Sequence, residues 1–269
     1  MMRTALVTGA SSGIGHATAV ALVAGGFRVI GTSRDPDAIP ASALIPDVEY
    51  RALDLLDPPA VDAFAAGLGD VDVLVNNAGE SQSGPLEELP GDVIERLFRL
   101  NVFAPVRLTQ LLLPGMRARG YGRVVMVGSM LASFPLAYRS SYVAAKAALK
   151  GFATAARGEV APFGVWITTV EPGAINTGIS ERRTTYIADD SPHRQRFRTM
   201  LDALDRNAST GTPPERVAAT IVAAVRSPRP KPLYAVGSRA PLVFALRRLV
   251  PRTVAESVTA RSHGLRIRD

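Results

Sequence analysis

Apolar runs of strand length alternate with helical patterns along most of the chain. The runs are nearly continuous, which is typical of strands buried on both faces of a parallel sheet. The seven runs cover residues 4–8, 27–33, 48–54, 71–77, 122–129, 165–172 and 231–237, and the helical patterns cover residues 13–25, 58–68, 90–113, 140–160 and 213–226. The alternation predicts one α/β domain, doubly wound, with about seven parallel strands and helices on both faces. Pro105 and Pro114 are expected to kink or end the third helix.

The composition suits one intracellular domain. The chain has 269 residues, of which 47% are hydrophobic, and this is enough to bury a sizeable core. It contains no cysteine, which excludes disulfides, thiolate nucleophiles and thiolate metal sites, and we expect no metal cofactor. The initial sequence MMRTALVTGASSG has only a short apolar run, which is neither a secretory signal nor a membrane span. A soluble, cytoplasmic protein is therefore expected.

One long segment interrupts the alternating pattern. Residues 174–212 are polar, rich in Arg and Asp, and without a strand pattern. An interruption of this length in a compact domain is usually a lid or a small insertion, and we expect a substrate lid. Its arginines either clasp an acidic group or are solvated, and we favour solvation. They are Arg182, Arg183, Arg194, Arg196 and Arg198.

A basic tail, residues 239–269, follows the predicted catalytic domain of residues 1–238. Its seven arginines and two acidic residues supply most of the net charge of +7. No nucleic-acid-binding motif accompanies this charge, so no nucleic-acid partner is expected. An apolar stripe flanked by arginines predicts an amphipathic helix broken at Pro251. This helix is expected either to pack on the same domain, to contact another subunit or to make a peripheral contact with a membrane surface. The stripe consists of Leu242, Leu246, Leu249 and Val250, and the flanking arginines are Arg247 and Arg248.

A glycine-rich sequence, TGASSGIG at residues 8–15, joins the first strand to the first helix. Glycines are needed where the chain turns from strand to helix, where backbone approaches a pyrophosphate, and where the helix packs closely on the sheet. The start of the helix also offers unpaired N–H groups and the positive end of the helix dipole. We therefore expect this turn to bind a dinucleotide. The residues predicted to do so are Gly9, Ser11, Ser12, Gly13, Ile14 and Gly15.

The end of the second strand predicts which nicotinamide dinucleotide binds. An acidic residue there would accept hydrogen bonds from the adenosine ribose and repel a 2′-phosphate. This chain instead has Ser33 and Arg34, whose hydroxyl and guanidinium can hold a phosphate. The pattern favours NADP(H) over NAD(H). Asp35 is the alternative, because a shift of one residue in the strand end would place its carboxylate near the ribose and weaken the preference.

Tyr142 and Lys146 lie four residues apart in a strongly helical stretch, so their side chains share one face. A free phenol is a poor base at neutral pH, and a nearby ammonium favours its phenolate form, so this pair suits proton transfer. Tyr138 precedes Tyr142 by four residues too, but the sequence between them looks like a helix entry, which places Tyr138 on a loop. Ser129 ends the fifth strand at the carboxyl edge of the sheet, where its hydroxyl can donate to a substrate carbonyl oxygen.

These motifs, in this order, resemble the classical short-chain dehydrogenase/reductase family. The resemblance runs from Ala5 to about Gly237 and implies a Rossmann-like fold, hydride transfer to or from a small-molecule carbonyl or alcohol, and a homodimer or homotetramer. It implies that Asn101 holds a water in a proton relay and that Lys146 also binds the nicotinamide ribose. The further cofactor contacts that it implies are Asp54, Leu55, Asn77, Ala78, Gly79, Tyr142, Pro172, Gly173, Ile175 and Thr177.

The predicted substrate side is apolar. The segment MLASFPLA follows Ser129, and the expected substrate contacts are Ser129, Leu131, Tyr138, Tyr142 and Ile179. The sequence GTSRDP and a late Tyr-x-Val-Gly strand followed by an amphipathic tail are similar to the hydroxysteroid and retinol dehydrogenase branch. This implies a steroid-like, retinoid-like or lipid-like substrate. The alternatives are a 3-oxoacyl thioester reductase and, from another class, a catalytically idle NADP(H)-binding sensor or interaction protein, although both the tyrosine and the lysine are intact.

Overall fold

A computed structural model describes residues 2–176, 178, 182–247 and 249–265 of the chain. Within these residues the strands are β1 Thr4–Val7, β2 Arg28–Ser33, β3 Val48–Ala52, β4 Val73–Asn76, β5 Gln82–Ser83, β6 Gly122–Val127, β7 Val165–Pro172, β8 Thr184–Thr185 and β9 Leu233–Val236. Seven of the described strands form one parallel sheet of order β3-β2-β1-β4-β6-β7-β9, and β5 pairs with β8 in a separate parallel pair. The predicted doubly wound α/β fold is confirmed.

Helices cover both faces of the main sheet. The described helices are α1 Gly13–Ala24, α2 Pro58–Ala66, α3 Gly91–Phe98, α4 Ala104–Ala118, α5 Ser140–Val160, α6 Arg194–Ser209, α7 Pro214–Arg226, α8 Ala240–Arg247 and α9 Arg252–Ser262. None of them combines the length and the apolar character that a membrane-spanning helix needs.

The two hydrophobic cores explain why the strands are apolar at nearly every position. Successive side chains of a strand point to opposite faces of the sheet. Leu6 of β1 packs with residues of α2, α4 and α5 in one cluster, whereas its neighbours Ala5 and Val7 pack with residues of α1 and α7 in the other. A strand buried on both faces has no solvent-facing position to fill with a polar residue, so the sequence of β1 shows no alternation.

The third predicted helix is divided. α3 is followed by a π-helical segment, Arg99–Phe103, and then by α4. Pro105 lies at the start of α4, where its missing N–H costs little, and the interruption falls just before it. Pro114 was expected to kink or end this stretch. It does not end the helix, because α4 continues through Pro114 to Ala118.

The tail packs back on the domain but departs from the predicted stripe. α8 ends at Arg247, before Pro251, and a second helix, α9, begins directly after that proline. Leu249 therefore lies between helices with 81% of its surface exposed, rather than on a buried stripe. Val250 directly precedes Pro251 and is disfavoured in helical conformation, which is consistent with the break between α8 and α9. Residue 248 and the side chains of residues 242, 246 and 247 lie outside the described part of the chain.

Candidate active site

A cleft of about 450 Å³ opens at the carboxyl edge of the main sheet. Strand order runs in opposite directions from β1 and β4, and a crevice for ligands forms at such a reversal. The predicted site residues that line this cleft are Gly9, Ser11, Ser12, Gly13, Ile14, Ser33, Arg34, Asp54, Leu55, Asn77, Ala78, Gly79, Ser129, Tyr142, Lys146, Pro172, Gly173 and Ile175. Gly15, Asn101, Leu131 and Tyr138 lie outside its lining, and Thr177 and Ile179 lie outside the described residues.

The glycine-rich turn forms a cradle at one end of the cleft. Gly9 and Gly13 have φ angles of +66° and +55°, which favour glycine. A Cβ on Gly15 would lie 2.1 Å from the carbonyl oxygen of Gly9, so only glycine lets α1 approach the turn this closely. Ser12 precedes α1 and makes no side-chain capping bond to any described residue. The first N–H groups of the helix therefore remain available to an anionic group, and the cradle fits the pyrophosphate of a dinucleotide.

Two polar side chains tie this turn to the end of β4. Thr8 Oγ1 accepts hydrogen bonds from the N–H groups of Asn77 and Ala78, both at 3.0 Å. Asn77 Nδ2 donates to the carbonyl oxygens of Thr8 at 2.9 Å and Gly9 at 3.2 Å. Both donors of the Asn77 amide are used in this way. The side chain of Asn77 thus fixes the position of the glycine-rich turn relative to the end of β4.

The edge of the cleft beyond β2 presents a guanidinium. β2 ends at Ser33, and the exposed Arg34 follows it on the cleft wall. Asp35 Oδ1 accepts a hydrogen bond from the Ala38 N–H at 3.2 Å, which holds the carboxylate in the next turn and outside the cleft lining. Asp54 does line the cleft, and its Oδ1 accepts a hydrogen bond from the Leu56 N–H at 2.9 Å.

Helix α5 brings Tyr142 and Lys146, both buried, to the other end of the cleft. Lys146 Nζ lies 5.9 Å from the centroid of the Tyr142 ring and donates a hydrogen bond to the Val127 carbonyl oxygen at 2.9 Å. Burial lowers the pKa of Lys146, and the interaction with Tyr142 opposes this effect. Ser129 begins a 3₁₀ turn, and its Oγ accepts a hydrogen bond from the Leu131 N–H at 3.2 Å. This contact leaves the Ser129 hydroxyl hydrogen for another acceptor.

Asn101 lies behind the cleft in the π-helical segment, a feature that is frequent at functional sites. Its Oδ1 accepts a hydrogen bond from the Glu80 N–H at 3.0 Å, and its Nδ2 donates to the Glu80 carbonyl oxygen at 2.9 Å. A methyl group on Gly79 would come within 2.7 Å of Asn101 Oδ1 and 3.6 Å of Lys146 Nζ. Glycine at this position therefore keeps the space between the amide and the ammonium open.

Leu131 and Tyr138, two further predicted substrate contacts, lie outside the lining of the cleft. Leu131 packs against the hydrophobic cluster that contains Tyr142. Tyr138 lies on the loop before α5, as predicted, but its ring stands edge-on to His193 at 5.7 Å and Phe197 at 5.6 Å between centroids. Tyr138 thus belongs to the packing of the lid helix α6, and its contact with substrate stays a prediction.

The favoured interpretation of the lid arginines as solvated is wrong for Arg183. Only 4% of its side chain is exposed, and it forms an ion pair with Asp205 of α6. Strand β8 begins directly after Arg183 and is hydrogen-bonded to the segment after β4. The Thr184 N–H donates to the Ser81 carbonyl oxygen at 3.1 Å. A paired guanidinium therefore anchors the lid where the sequence suggested a surface charge.

Several residues of the cleft wall were missed by the sequence interpretation. Those directly after β4, or at the end of β6, could have been found by extending the strand-end rule a few residues further. Arg96 of α3 and Arg182 of the lid gave no such signal, because their positions depend on how distant segments pack. The additional lining residues are Thr32, Leu53, Leu56, Glu80, Ser81, Arg96, Leu100, Val127, Gly128 and Arg182.

Comparisons with known proteins show which family this chain resembles. The model of the short chain dehydrogenase family matches residues 3–187. The uncharacterized oxidoreductase YusZ of Bacillus subtilis is 33% identical over 273 residues, which cover 95% of this chain and 96% of that protein. The 3-ketodihydrosphingosine reductase of Bacteroides thetaiotaomicron is 30% identical over 246 residues, with coverage of 89% and 90%. Human retinol dehydrogenase 8 is 32% identical over 246 residues, with coverage of 85% and 79%.

Solved structures of similar fold also match this chain. A crystal structure of a short-chain dehydrogenase from Streptomyces avermitilis matches with a TM-score of 0.82 at 36% identity, covering 92% of this chain and 93% of that one. A metagenomic short-chain oxidoreductase in complex with NADP matches with a TM-score of 0.69 at 28% identity, covering 87% and 96%.

Proposed function

The chain belongs to the short-chain dehydrogenase/reductase family and is thus a nicotinamide-dependent oxidoreductase; from this premise we propose that it moves a hydride between NADP(H) and a hydrophobic carbonyl compound or secondary alcohol. One observation carries the proposal: Tyr142, Lys146 and Ser129 lie on the same cleft as the glycine-rich turn. A dinucleotide held by the turn would extend toward the tyrosine.

The preference for NADP(H) is supported by the charges at the end of β2. Arg34 and Ser33 would hold the 2′-phosphate, because a guanidinium gives paired, charge-assisted hydrogen bonds to phosphate oxygens. Asp35 would oppose them little, because a hydrogen bond from the Ala38 N–H holds its carboxylate outside the cleft lining. The metagenomic relative of known structure binds NADP, which is consistent with this choice.

The chemistry needs a proton as well as a hydride. The nicotinamide ring, when bound, supplies the hydride for reduction or takes it up in oxidation. Tyr142 would donate its hydroxyl proton to the carbonyl oxygen of the substrate, and Ser129 would donate a hydrogen bond to the same oxygen as negative charge develops there. The ammonium of Lys146 would stabilise the charge left on the tyrosine oxygen.

Asn101 would complete the proton relay. Its Oδ1 has a second lone pair besides the one used by the Glu80 N–H, and this lone pair can accept a hydrogen bond from a water. The open space beside Gly79, between Asn101 and Lys146, supports this role. The relay would return a proton to Tyr142 after each turnover.

The substrate would be apolar. The loop after Ser129 contributes Met130, Phe134 and Leu136 to hydrophobic clusters, and the tail helices pack on the same loop. Two relatives carry names with apolar compounds, retinol and 3-ketodihydrosphingosine. These observations support a steroid-like, retinoid-like or lipid-like substrate for this chain.

Residues 1–238 would form the catalytic domain, residues 174–212 its lid, and residues 239–269 a tail that closes the substrate side. Packing of Ala260 and Leu265 against the lid helix supports this role of the tail over attachment to a membrane surface. Sedimentation with anionic lipid vesicles would separate the two, because a packed tail does not bind them.

A homodimer or homotetramer is proposed by analogy with the family, through the helix that carries Tyr142. The side chain of Phe152 on α5 is half exposed, and so is that of Phe103 next to α4, which leaves apolar surface for a second copy. Light scattering of Phe152→Glu should report a smaller particle than the unaltered protein, and an unchanged particle would argue against this interface.

The proposed reaction is tested by comparing two tyrosine variants. Tyr142→Phe should bind NADPH normally and lose nearly all turnover with retinaldehyde, a steroid ketone and 3-ketodihydrosphingosine, whereas Tyr138→Phe should keep most of it. Near-normal turnover by Tyr142→Phe would refute the proton-donor role. Turnover of an acetoacetyl thioester alone would favour the thioester reductase, and NADPH binding without any turnover in the unaltered protein would favour a binding protein.

A further inference from the structure

Arg139 is a buried cation without a carboxylate partner in the described part of the chain. Only 5% of its surface is exposed. Its Nη1 donates a hydrogen bond to Ser83 Oγ at 3.0 Å and its Nη2 donates to Ser81 Oγ at 2.9 Å, so both acceptors are neutral hydroxyls. Its Nε has no hydrogen-bond partner among the described residues. Burying a guanidinium without a compensating charge is costly, and such a residue requires a reason.

The guanidinium lies directly over the ring of Tyr142. Its Cζ is 4.4 Å from the ring centroid, closer than the 5.9 Å of Lys146 Nζ from the same centroid. Arg139 immediately precedes α5 and Tyr142 lies in the first turn, so the helix start fixes their relative position. Burial lowers the pKa of Arg139 to about 10, and the guanidinium is therefore still charged at neutral pH. Two buried cations thus flank one phenol.

We propose that Arg139 is a positioning residue that acts through Tyr142: it holds the ring in place and, together with Lys146, stabilises the negative charge that remains on the tyrosine oxygen after proton donation. The inference rests on the proposed function of Tyr142. A cation over an aromatic ring is attracted to its face, and the attraction grows when the ring oxygen becomes anionic in a site of low dielectric constant. The two serine hydroxyls orient the guanidinium without neutralising it.

Other charged groups face this pair from the elements that pack around it. Arg183, next to β8, lies close enough to lower the pKa of Arg139. The charge of Arg183 is itself paired with that of Asp205 in α6. His263, just after α9, has a pKa lowered mainly by burial and further by the charge of Arg139, so it is neutral at neutral pH. Removal of the Arg139 charge leaves Lys146 and the Arg183–Asp205 pair in place, so a change in the behaviour of Tyr142 reports on Arg139.

The test is a spectroscopic titration that needs no substrate. The phenolate absorbance of each protein is followed with rising pH, and subtracting the titration of the same protein with Tyr142→Phe isolates Tyr142. Arg139→Gln keeps a hydrogen-bond donor for the serines and removes the charge, so its titration midpoint should rise by about one pH unit. Arg139→Lys keeps the charge and should shift by less than half of that.

A matched control is Arg157→Gln. The Arg157 guanidinium also lies over an aromatic ring, with Cζ 4.6 Å from the centroid of Trp166, and neither residue lines the cleft. This variant should lose stability and keep the Tyr142 midpoint.

The inference is overturned if Arg139→Gln keeps the midpoint of the unaltered protein. It is also overturned if the titration midpoint of Arg139→Lys rises by a full pH unit. The Arg139→Lys result alone decides the question if Arg139→Gln does not fold. Failure of the proposed function would be seen in a different experiment. Tyr142→Phe would then retain turnover, whereas the titration midpoints would not change.

Discussion

Lys146 Nζ donates a hydrogen bond to the carbonyl oxygen of Val127, 2.9 Å away at the last residue of β6. The contact fixes a buried ammonium at the edge of the sheet. No carboxylate among the described residues pairs with it, and burial lowers its pKa. The charge of Lys146 therefore costs stability, and this cost has a pH dependence that can be measured.

The stability of Lys146→Met relative to the unaltered protein should fall as pH rises. The native protein holds the Lys146 proton less tightly than the unfolded chain does, so the cost of the buried charge is full at neutral pH. This cost is relieved as pH rises from the lowered pKa of Lys146 in the native protein to its ordinary value of 10.5. The free energy of unfolding of the unaltered protein, minus that of the variant, should thus rise from neutral to alkaline pH in urea titrations. Lys231→Met, at an exposed site, should show a flat difference, and a flat difference for Lys146→Met as well would contradict this account.

Arg34→Ala should weaken NADPH binding and leave NADH binding nearly unchanged. A charge-assisted hydrogen bond contributes about 1.5–3 kcal/mol, so the KM for NADPH should rise roughly tenfold to a hundredfold. Asp35→Ala is the matched control: it removes a bond to the Ala38 N–H and should lower stability by about 1 kcal/mol without changing the preference. If Asp35→Ala changes the ratio of the two KM values and Arg34→Ala does not, the assignment of these neighbours is reversed.

Gly79→Ala should lower kcat while the fold is kept. The added methyl group would lie 2.7 Å from Asn101 Oδ1, so the amide or the backbone must move in the space that leads to Lys146. Displacement of a positioned group by about 1 Å can reduce turnover roughly a hundredfold. Steady-state kinetics with NADPH would measure this loss. Gly151→Ala, at an open position of α5, should leave kcat unchanged, and equal kinetics for the two variants would argue against a role for this space.

Lys150→Met should destabilise the protein more than Glu171→Gln, although the two residues form one ion pair at 2.9 Å. The Glu171 side chain is 0% exposed and that of Lys150 is 28% exposed. Loss of the lysine leaves a buried carboxylate, which costs about 3–5 kcal/mol, whereas loss of the carboxylate leaves an ammonium that can reach water. Urea unfolding at neutral pH should show this order. The reverse order at neutral pH would disprove the asymmetry.

Most of the fold and much of the site could be predicted from local sequence. The apolar runs gave the strands because burial on both faces leaves no polar positions, and the glycine-rich turn gave the cradle because φ angles and close approach admit only glycine there. Tyr142 and Lys146 could be paired because four residues on a helix bring side chains to one face. These predictions all depend on patterns within short stretches of the sequence.

The features that were missed depend on distant segments. Arg139 looks like a helix-entry residue in the sequence, and its burial over Tyr142 becomes evident only when Ser81 and Ser83, before and within β5, are placed beside it. Arg183 reads as a surface charge until Asp205, far along the chain, is placed beside it. A charge pattern alone cannot distinguish a solvated arginine from a buried one, because the partner lies on another element.

The packing of the tail also has a consequence for synthesis. Ala260 and Leu265 pack with Leu136 of the loop before α5 and with Phe197 and Met200 of α6. A ribosome makes these partners in order, so the turn, the strands and the catalytic helix exist well before the last of them. The glycine-rich turn can therefore form on the nascent chain, whereas the contacts of Leu136, Phe197 and Met200 with the tail form only after residues 260–265 have left the exit tunnel.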